Sequence, residues 1–218
     1  MLLNYQRPLE MARLIGALRG QSVPVRIILI DNAKEQHPLR DHVDRYVHVP
    51  WNGGCFMRMH VAHFADTEWV MYVDDDRRPR DEHFVRDALA IAREHPGAIT
   101  GAHGRWLSRE EPHYHHDTYG QVHIIQGFCA FFERKLLAGV PVTPPFEGEK
   151  ALIERCDDIH LSLMSGKGQP AHWADPKIHE SCLDDTKEGV GYSFDPRHAA
   201  LRERIARNYL RHFGELPS

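Results

Sequence analysis

The 218-residue sequence contains no apolar run approaching the roughly 18 residues a membrane-spanning helix needs, and its mean hydropathy is −0.51. A chain without a membrane partner is therefore expected. The opening MLLNYQRPLE reaches Gln6 and Arg7 too early for the apolar core of a signal peptide, which predicts a cytoplasmic protein. Its cysteines, Cys55, Cys129, Cys156 and Cys182, form no C-x-x-C pair and are expected to be reduced. There is no cationic excess: 27 Lys and Arg stand against 31 Asp and Glu, for a net charge of −4. That balance argues against a general nucleic-acid binder and leaves only local patches open. No repeat, low-complexity tract or long linker interrupts the chain, so residues 1–218 read as a single domain. A G-x-G-x-x-G turn is missing where a dehydrogenase would carry it; Asn4-Tyr5-Gln6-Arg7-Pro8 stands there instead. A nucleotidyltransferase would want a glycine-rich phosphate loop with a basic residue near the N-terminus, and none is present. That class stays as an alternative, beside a non-enzymatic nucleotide-sugar or nucleic-acid binder.

What is present alternates between strand and helix. Met1–Asn4 reads as a short strand, and Pro8 opens a helix that keeps Met11, Leu14, Ile15 and Leu18 at helical spacing. Val25–Ile30 and Trp69–Val73 are continuous apolar runs, as buried parallel strands require, and Val43–Val49 is a weaker one. Helices are predicted over Gly54–Phe64 and from Pro79 and Asp81 to His95. Ala98–Gly101 and Val122–Ile125 read as further strands, Pro141, Pro144 and Pro145 as loop, and Ile153–Met164 and residues 197–213 as helices. The implied fold is α/β, a mostly parallel sheet flanked by helices, with its chemistry at the carboxyl ends of the strands.

Polar residues fall at those ends: Asn4 after the first strand, Asp31-Asn32 after the second, and Asp74-Asp75-Asp76 after Trp69–Val73. Three adjacent carboxylates repel one another unless a cation or solvent screens them. Residues i and i+2 of extended chain point the same way, so Asp74 and Asp76 can share one hard cation such as Mg2+ or Mn2+. A solvated turn partnered by Arg77, Arg78 and Arg80 is the plainer reading. Cys156-Asp157-Asp158 supplies carboxylates at a helix start, either as a general base or as helix caps.

Taken together, several segments resemble nucleotide-sugar-dependent glycosyltransferases of the GT-A fold, near family 2 and the exostosin-type enzymes. The likeness runs through LNYQRPLEMARLIGALRGQ with RIILIDNA, then WNGGCFMRMHVAHFADTEWVMYVDDD, IIQGFCAFFERKLL and ERCDDIHLSLMSGKGQPAHW, in that order over roughly residues 1–180. It implies a nucleotide-diphospho-sugar transferase fold, with a donor-binding half over residues 1–105 and an acceptor half over 106–218. On this resemblance Asp74 and Asp76 hold a divalent metal, Mn2+ or Mg2+, with His179 as a late metal ligand. Asn4, Arg7, Asp31, Asn52, Gly54, Arg58 and Asp75 line the donor site, and Asp158 or Asp157 faces the acceptor. The QxxRW motif of processive family 2 enzymes is absent, so transfer of a single sugar is expected, with a UDP-sugar as the favoured donor and a hydroxyl group as acceptor.

Two features stay open at this level. His113, His115 and His116, with His123 nearby, form a zinc-binding tract, a lid over the donor site or a solvated loop. Residues 196–213 carry five arginines against one acidic residue. Arg204 and Arg207 of this stretch are the candidates for contacting a phosphate-rich acceptor such as hydroxymethylated DNA; the plainer reading is a solvated helix face.

Overall fold

The computed structural model describes residues 1–108, 118–146, 154–185 and 195–215. Its strands are β1 (Leu2–Asn4), β2 (Ile28–Asp31), β3 (Arg45–His48), β4 (Trp69–Val73), β5 (Arg77–Pro79), β6 (Thr100–Gly101), β7 (Gly104–Arg105), β8 (Gly120–Val122), β9 (Ile124–Ile125), β10 (Cys129–Glu133), β11 (His172–Ala174) and β12 (Cys182–Asp184). Eight of them form one sheet in the order β3-β2-β1-β4-β10-β6-β11-β8. β1 pairs in parallel with β2 and β4, with Leu2 opposite Leu29 and Asn4 opposite Asp31. β10 runs antiparallel between β4 and β6, and β8 closes the far edge antiparallel to β11. The mostly parallel α/β sheet expected from the sequence is present.

Helices cover both faces: α1 (Pro8–Arg19), α2 (Met57–Ala62), α3 (Phe84–Glu94), α4 (Asp157–Gly166), α5 (Pro176–Glu180) and α6 (His198–His212). α1 begins with proline at its first position and places Glu10 in its first turn and Arg19 in its last, as the helix dipole favours. Its buried Met11, Leu14, Ile15 and Leu18 pack with Leu29, Val73, Phe131 and the α3 residues Phe84, Val85 and Ala88. Alternate strand residues point the other way. Ile28, Ile30, Tyr72 and Phe132 meet Met59 of α2, Ile159 and Leu163 of α4, and Ile205 and Tyr209 of α6. Each such aliphatic or aromatic side chain contributes about 1.5–3 kcal/mol by leaving water. The two-sided burial explains why β2 and β4 read as unbroken apolar runs. No helix among the described residues is long and apolar enough to cross a membrane.

β4 occupies the span its apolar run predicts, and α6 nearly so. Other boundaries differ. The helix expected over Gly54–Phe64 shortens to Met57–Ala62, because Gly54 adopts a left-handed φ of 71° that a helix cannot contain. The helix expected from Pro79 starts only at Phe84, since Arg77–Pro79 is a strand paired with Cys182–Asp184. Val122–Ile125 divides at His123 into β8 and β9, and β9 pairs with β7. Ile153 lies outside the described residues, and the helix there is described from Asp157 to Gly166.

Candidate active site

The carboxyl ends of β1, β2 and β4 open onto one cavity of about 770 Å³. β10 runs the opposite way, so the segment entering it, Gln126-Gly127-Phe128, arrives at the same edge. The start of α4 and one face of α6 close the remaining sides with Asp157, Asp158, His198 and Arg202.

Asp74, Asp75 and Asp76 follow β4 directly, and each meets an arginine. Arg7 bridges Asp75 and Asp76 through Nη1, at 2.9 Å to each. Arg58 donates to Asp74 Oδ1 at 2.6 Å. Burial raises the Asp75 carboxyl to about 7, with Arg7 opposing the shift and Asp74 and Asp76 reinforcing it.

Arg58 lies on α2 with its side chain only 2% exposed. Besides Asp74 it grips Asp157 as a fork, Nε to Oδ2 at 2.7 Å and Nη2 to Oδ1 at 3.3 Å, and its Nη1 also donates to the Gly127 carbonyl. Asp158 is held differently. Arg202 Nη2 donates to its Oδ2 at 2.6 Å, the Gly127 N–H donates to the same oxygen, and the Ile159 N–H donates to Oδ1. These two neighbouring carboxyls are therefore pushed apart. Burial lifts Asp157 to about 6 despite Arg58. Asp158 sits below the ordinary carboxylate range: burial opposes this, but Arg202 and the two backbone N–H groups prevail.

Of the donor-side candidates, Arg7, Asn52, Gly54, Arg58 and Asp75 line the cavity, and Asn4 and Asp31 do not. Asp31 is fully buried: Asn4 Nδ2 donates to its Oδ1 at 2.8 Å, Tyr46 donates its hydroxyl to Oδ2, and the His37 N–H donates to Oδ2 at 3.3 Å. The next residue, Asn32, takes the wall position instead. Its Nδ2 donates to the Gly54 carbonyl, and its buried Oδ1 has no hydrogen-bond partner among the described residues. The sequence marks Asp31-Asn32 together at the end of its apolar run, and the donor role expected of Asp31 falls at a position where Asn32 faces the cavity. Gly54 is fixed from its other side, its N–H donating to Asn52 Oδ1 at 3.0 Å.

His179 is not brought to Asp74 and Asp76. Asp175 caps the short helix α5, which turns the His179 ring onto His103 at 4.0 Å between centroids and within 2.9 Å of the Tyr119 hydroxyl. The cavity-lining Phe128 packs against His103, so His179 stands one ring behind the cavity wall. Arg204 is exposed, Arg207 pairs with Glu203 at 2.9 Å, and neither lines the cavity. The arginine that α6 does supply is Arg202, which shares a buried stripe with Ile205, Ala206 and Tyr209. Helical spacing was its signal in the sequence. His113, His115 and His116 lie outside the described residues; His123 accepts from the Leu107 N–H and packs against Trp106.

Among the described residues no three His, Cys, Asp or Glu side chains converge as a metal cage. What the acidic turn offers is narrower. Asp74 is 38% exposed and Asp76 21%, and each has one oxygen taken by an arginine, leaving the other without a contact that close among the described residues. Such a donor set fits a hard divalent ion that takes one or two protein carboxylates and completes its shell with phosphate and water. It does not fit an ion held by protein alone.

No protein-family model matches this chain, and no curated protein matches it. Its fold is similar to a solved structure described as mannosyltransferase PcManGT from Pyrobaculum calidifontis in complex with GDP-Man and Mn2+. The identity is 16% and the TM-score 0.61, over 98% of this chain and 62% of that one. The chain thus spans less than two thirds of the length of the protein it matches. At this identity the likeness establishes the fold alone, an α/β sheet flanked by helices.

Proposed function

We propose that this chain is a metal-dependent glycosyltransferase that moves one sugar from a nucleoside diphosphate sugar to a hydroxyl acceptor. The observation that carries the reading is the placement of Asp74 and Asp76 at the carboxyl end of β4, on the wall of the cavity. The similar fold of a protein solved with GDP-Man and Mn2+ supports it.

In this reading Asp74 and Asp76 hold Mg2+ or Mn2+, which when bound supplies Lewis-acid stabilisation of the diphosphate leaving group. Asn32 shapes the donor wall, its Nδ2 holding the Gly54 carbonyl beside the cavity. Arg7, already between Asp75 and Asp76, stands where it can turn toward the diphosphate. Asp31 acts at one remove: with Asn4 and Tyr46 it fixes the end of β2, and so the position of Asn32. Asp158 and Arg202 form the acceptor wall. Asp158 is the more acidic of the two neighbouring carboxyls, and releasing Arg202 would free it as the base for the acceptor hydroxyl. The acceptor reading rests on this wall; Arg204 and Arg207, outside it, lend no support to a DNA acceptor.

A thermal-shift screen of GDP- and UDP-sugars, with and without Mn2+, followed by turnover with each stabilising donor, tests the proposal. A ligand at 100 times its Kd adds about 2.7 kcal/mol, a clear shift for a domain of this size. We expect at least one donor to stabilise the chain more with Mn2+ than without it, and to be hydrolysed or transferred. Stabilisation without turnover would mark a nucleotide-sugar binder, and no stabilisation by any donor would reject the reading.

A further inference from the structure

Arg58 is among the most enclosed charges in the molecule's functional region, only 2% exposed. Four of the five guanidinium N–H donors have partners: two on Asp157, one on Asp74 Oδ1 and one on the Gly127 carbonyl. The Tyr72 ring lies 5.3 Å from the guanidinium carbon, and the Tyr72 hydroxyl donates to the Arg58 carbonyl. Gly127 closes the last side. A Cβ there would stand 3.2 Å from Arg58 Nη2 and 3.3 Å from Asp158 Cβ. A side chain so enclosed is poorly placed to receive a phosphate, and its geometry serves another end. It fixes which oxygen of Asp74 is taken and hence which way the other points.

We infer that Arg58 is a positioning residue for Asp74, and that Asp157 is the anchor that holds Arg58 in place. The inference rests on the metal-dependent reading above, with Asp74 as a carboxylate toward the ion. It links α4 to the acidic turn through one planar fork. The two neighbouring aspartates then differ in duty: Asp157 orients through Arg58, and Asp158 faces Arg202. A lysine in place of Arg58 keeps the charge but cannot grip Asp157 as a fork while reaching Asp74. The substitution therefore reads geometry at constant charge.

The experiment measures Mn2+ binding to the full chain by the electron paramagnetic resonance signal of free Mn2+, with Mn2+ alone and with Mn2+ plus GDP. Urea unfolding and sugar turnover are followed in parallel, for wild type, Arg58→Lys and Asp157→Asn. Loss of a partner that orients a metal ligand typically costs 10–100-fold in affinity or activity. We expect Arg58→Lys to raise the Mn2+ Kd about 10–100-fold, and Asp157→Asn to raise it less but in the same direction. Folded variants that bind Mn2+ as wild type does would overturn the inference and leave the proposed function standing. So would an Asp157→Asn protein that loses transfer with its Mn2+ affinity intact, the mark of a base. Wild-type protein that leaves the free Mn2+ signal unchanged would overturn the metal reading, and this inference with it. Should Arg58→Lys fail to unfold cooperatively, the near-isosteric Asp157→Asn decides on the same criteria.

Discussion

Arg202 and Asp158 meet at 2.6 Å, Nη2 to Oδ2, with both side chains buried at the junction of α6 and α4. Removing one partner of a buried pair costs roughly 3–5 kcal/mol, because the other charge is left uncompensated. Asp158→Asn should therefore lower unfolding stability by about that much, well beyond the loss from a weakened helix cap. An amide there can keep its oxygen toward the Gly127 N–H and Arg202, but its NH2 then faces the Ile159 N–H. Donor affinity should stay near wild type while transfer falls. A urea titration within about 1 kcal/mol of wild type would show that the pair contributes little.

Asp76→Asn probes the acidic turn. The variant keeps a hydrogen-bond acceptor for Arg7 and relieves carboxylate repulsion, so the fold should be retained. Turnover of a nucleoside diphosphate sugar should drop by two orders of magnitude or more, about 2.7 kcal/mol in barrier. Wild-type turnover in Asp76→Asn with chelator present would remove Asp76 from the metal site.

Gly101 tests the packing of the sheet centre. A Cβ at this β6 position would stand 2.3 Å from Ile125 Cγ2 and 2.6 Å from the Cys129 carbonyl oxygen. The carbonyl belongs to the β10 backbone and cannot swing aside. Gly101→Ala should destabilise by about 1–3 kcal/mol or more, as a lowered urea midpoint at unchanged slope. An unaffected midpoint would mean that β6 and β10 separate more easily than their pairing implies.

Stability should also fall with acid. His172 is buried between two backbone groups: its Nδ1 accepts from the Ile99 N–H at 3.1 Å, and its Nε2 donates to the Ser162 carbonyl at 2.7 Å. Burial lowers its pKa to about 4, below the ordinary 6.5. The unfolded chain then binds more protons between those values, so the contribution is full above pH 6.5 and is lost as pH falls toward 4. Complete loss amounts to about 3 kcal/mol. A His172 ring resonance that stays unprotonated down to about pH 5, with stability declining over the same range, is the expected pairing. Titration near 6.5 would contradict it.

The elements legible in the sequence are those whose burial is two-sided or periodic. Trp69–Val73 has no polar residue to interrupt it, and α6 repeats its buried positions at helical spacing. β5 and β12 were not legible. Arg77-Arg78-Pro79 carries no apolar alternation, and its partner lies about a hundred residues away, so nothing local marks either strand. The site divides likewise. The acidic turn follows its strand visibly, but which arginine meets which carboxylate depends on how α2, α4 and α6 pack. Hence Arg58 read as a donor contact and Arg202 as one cation among five.

The β5–β12 ribbon has a consequence for the order in which the molecule can be completed. Asp185 donates its backbone N–H to the Asp76 carbonyl, Arg77 pairs with Asp184, and Arg78 pairs with Asp185. The turn that presents Asp74 and Asp76 is thus tied down by chain made about a hundred residues later. During synthesis, β1, β2 and β3 have one another as partners early, because their pairing lies within residues 2–48. The acidic turn does not. Until residues 182–185 have emerged, it lacks the ribbon that braces it, and the nascent chain carries a sheet before it carries a finished site.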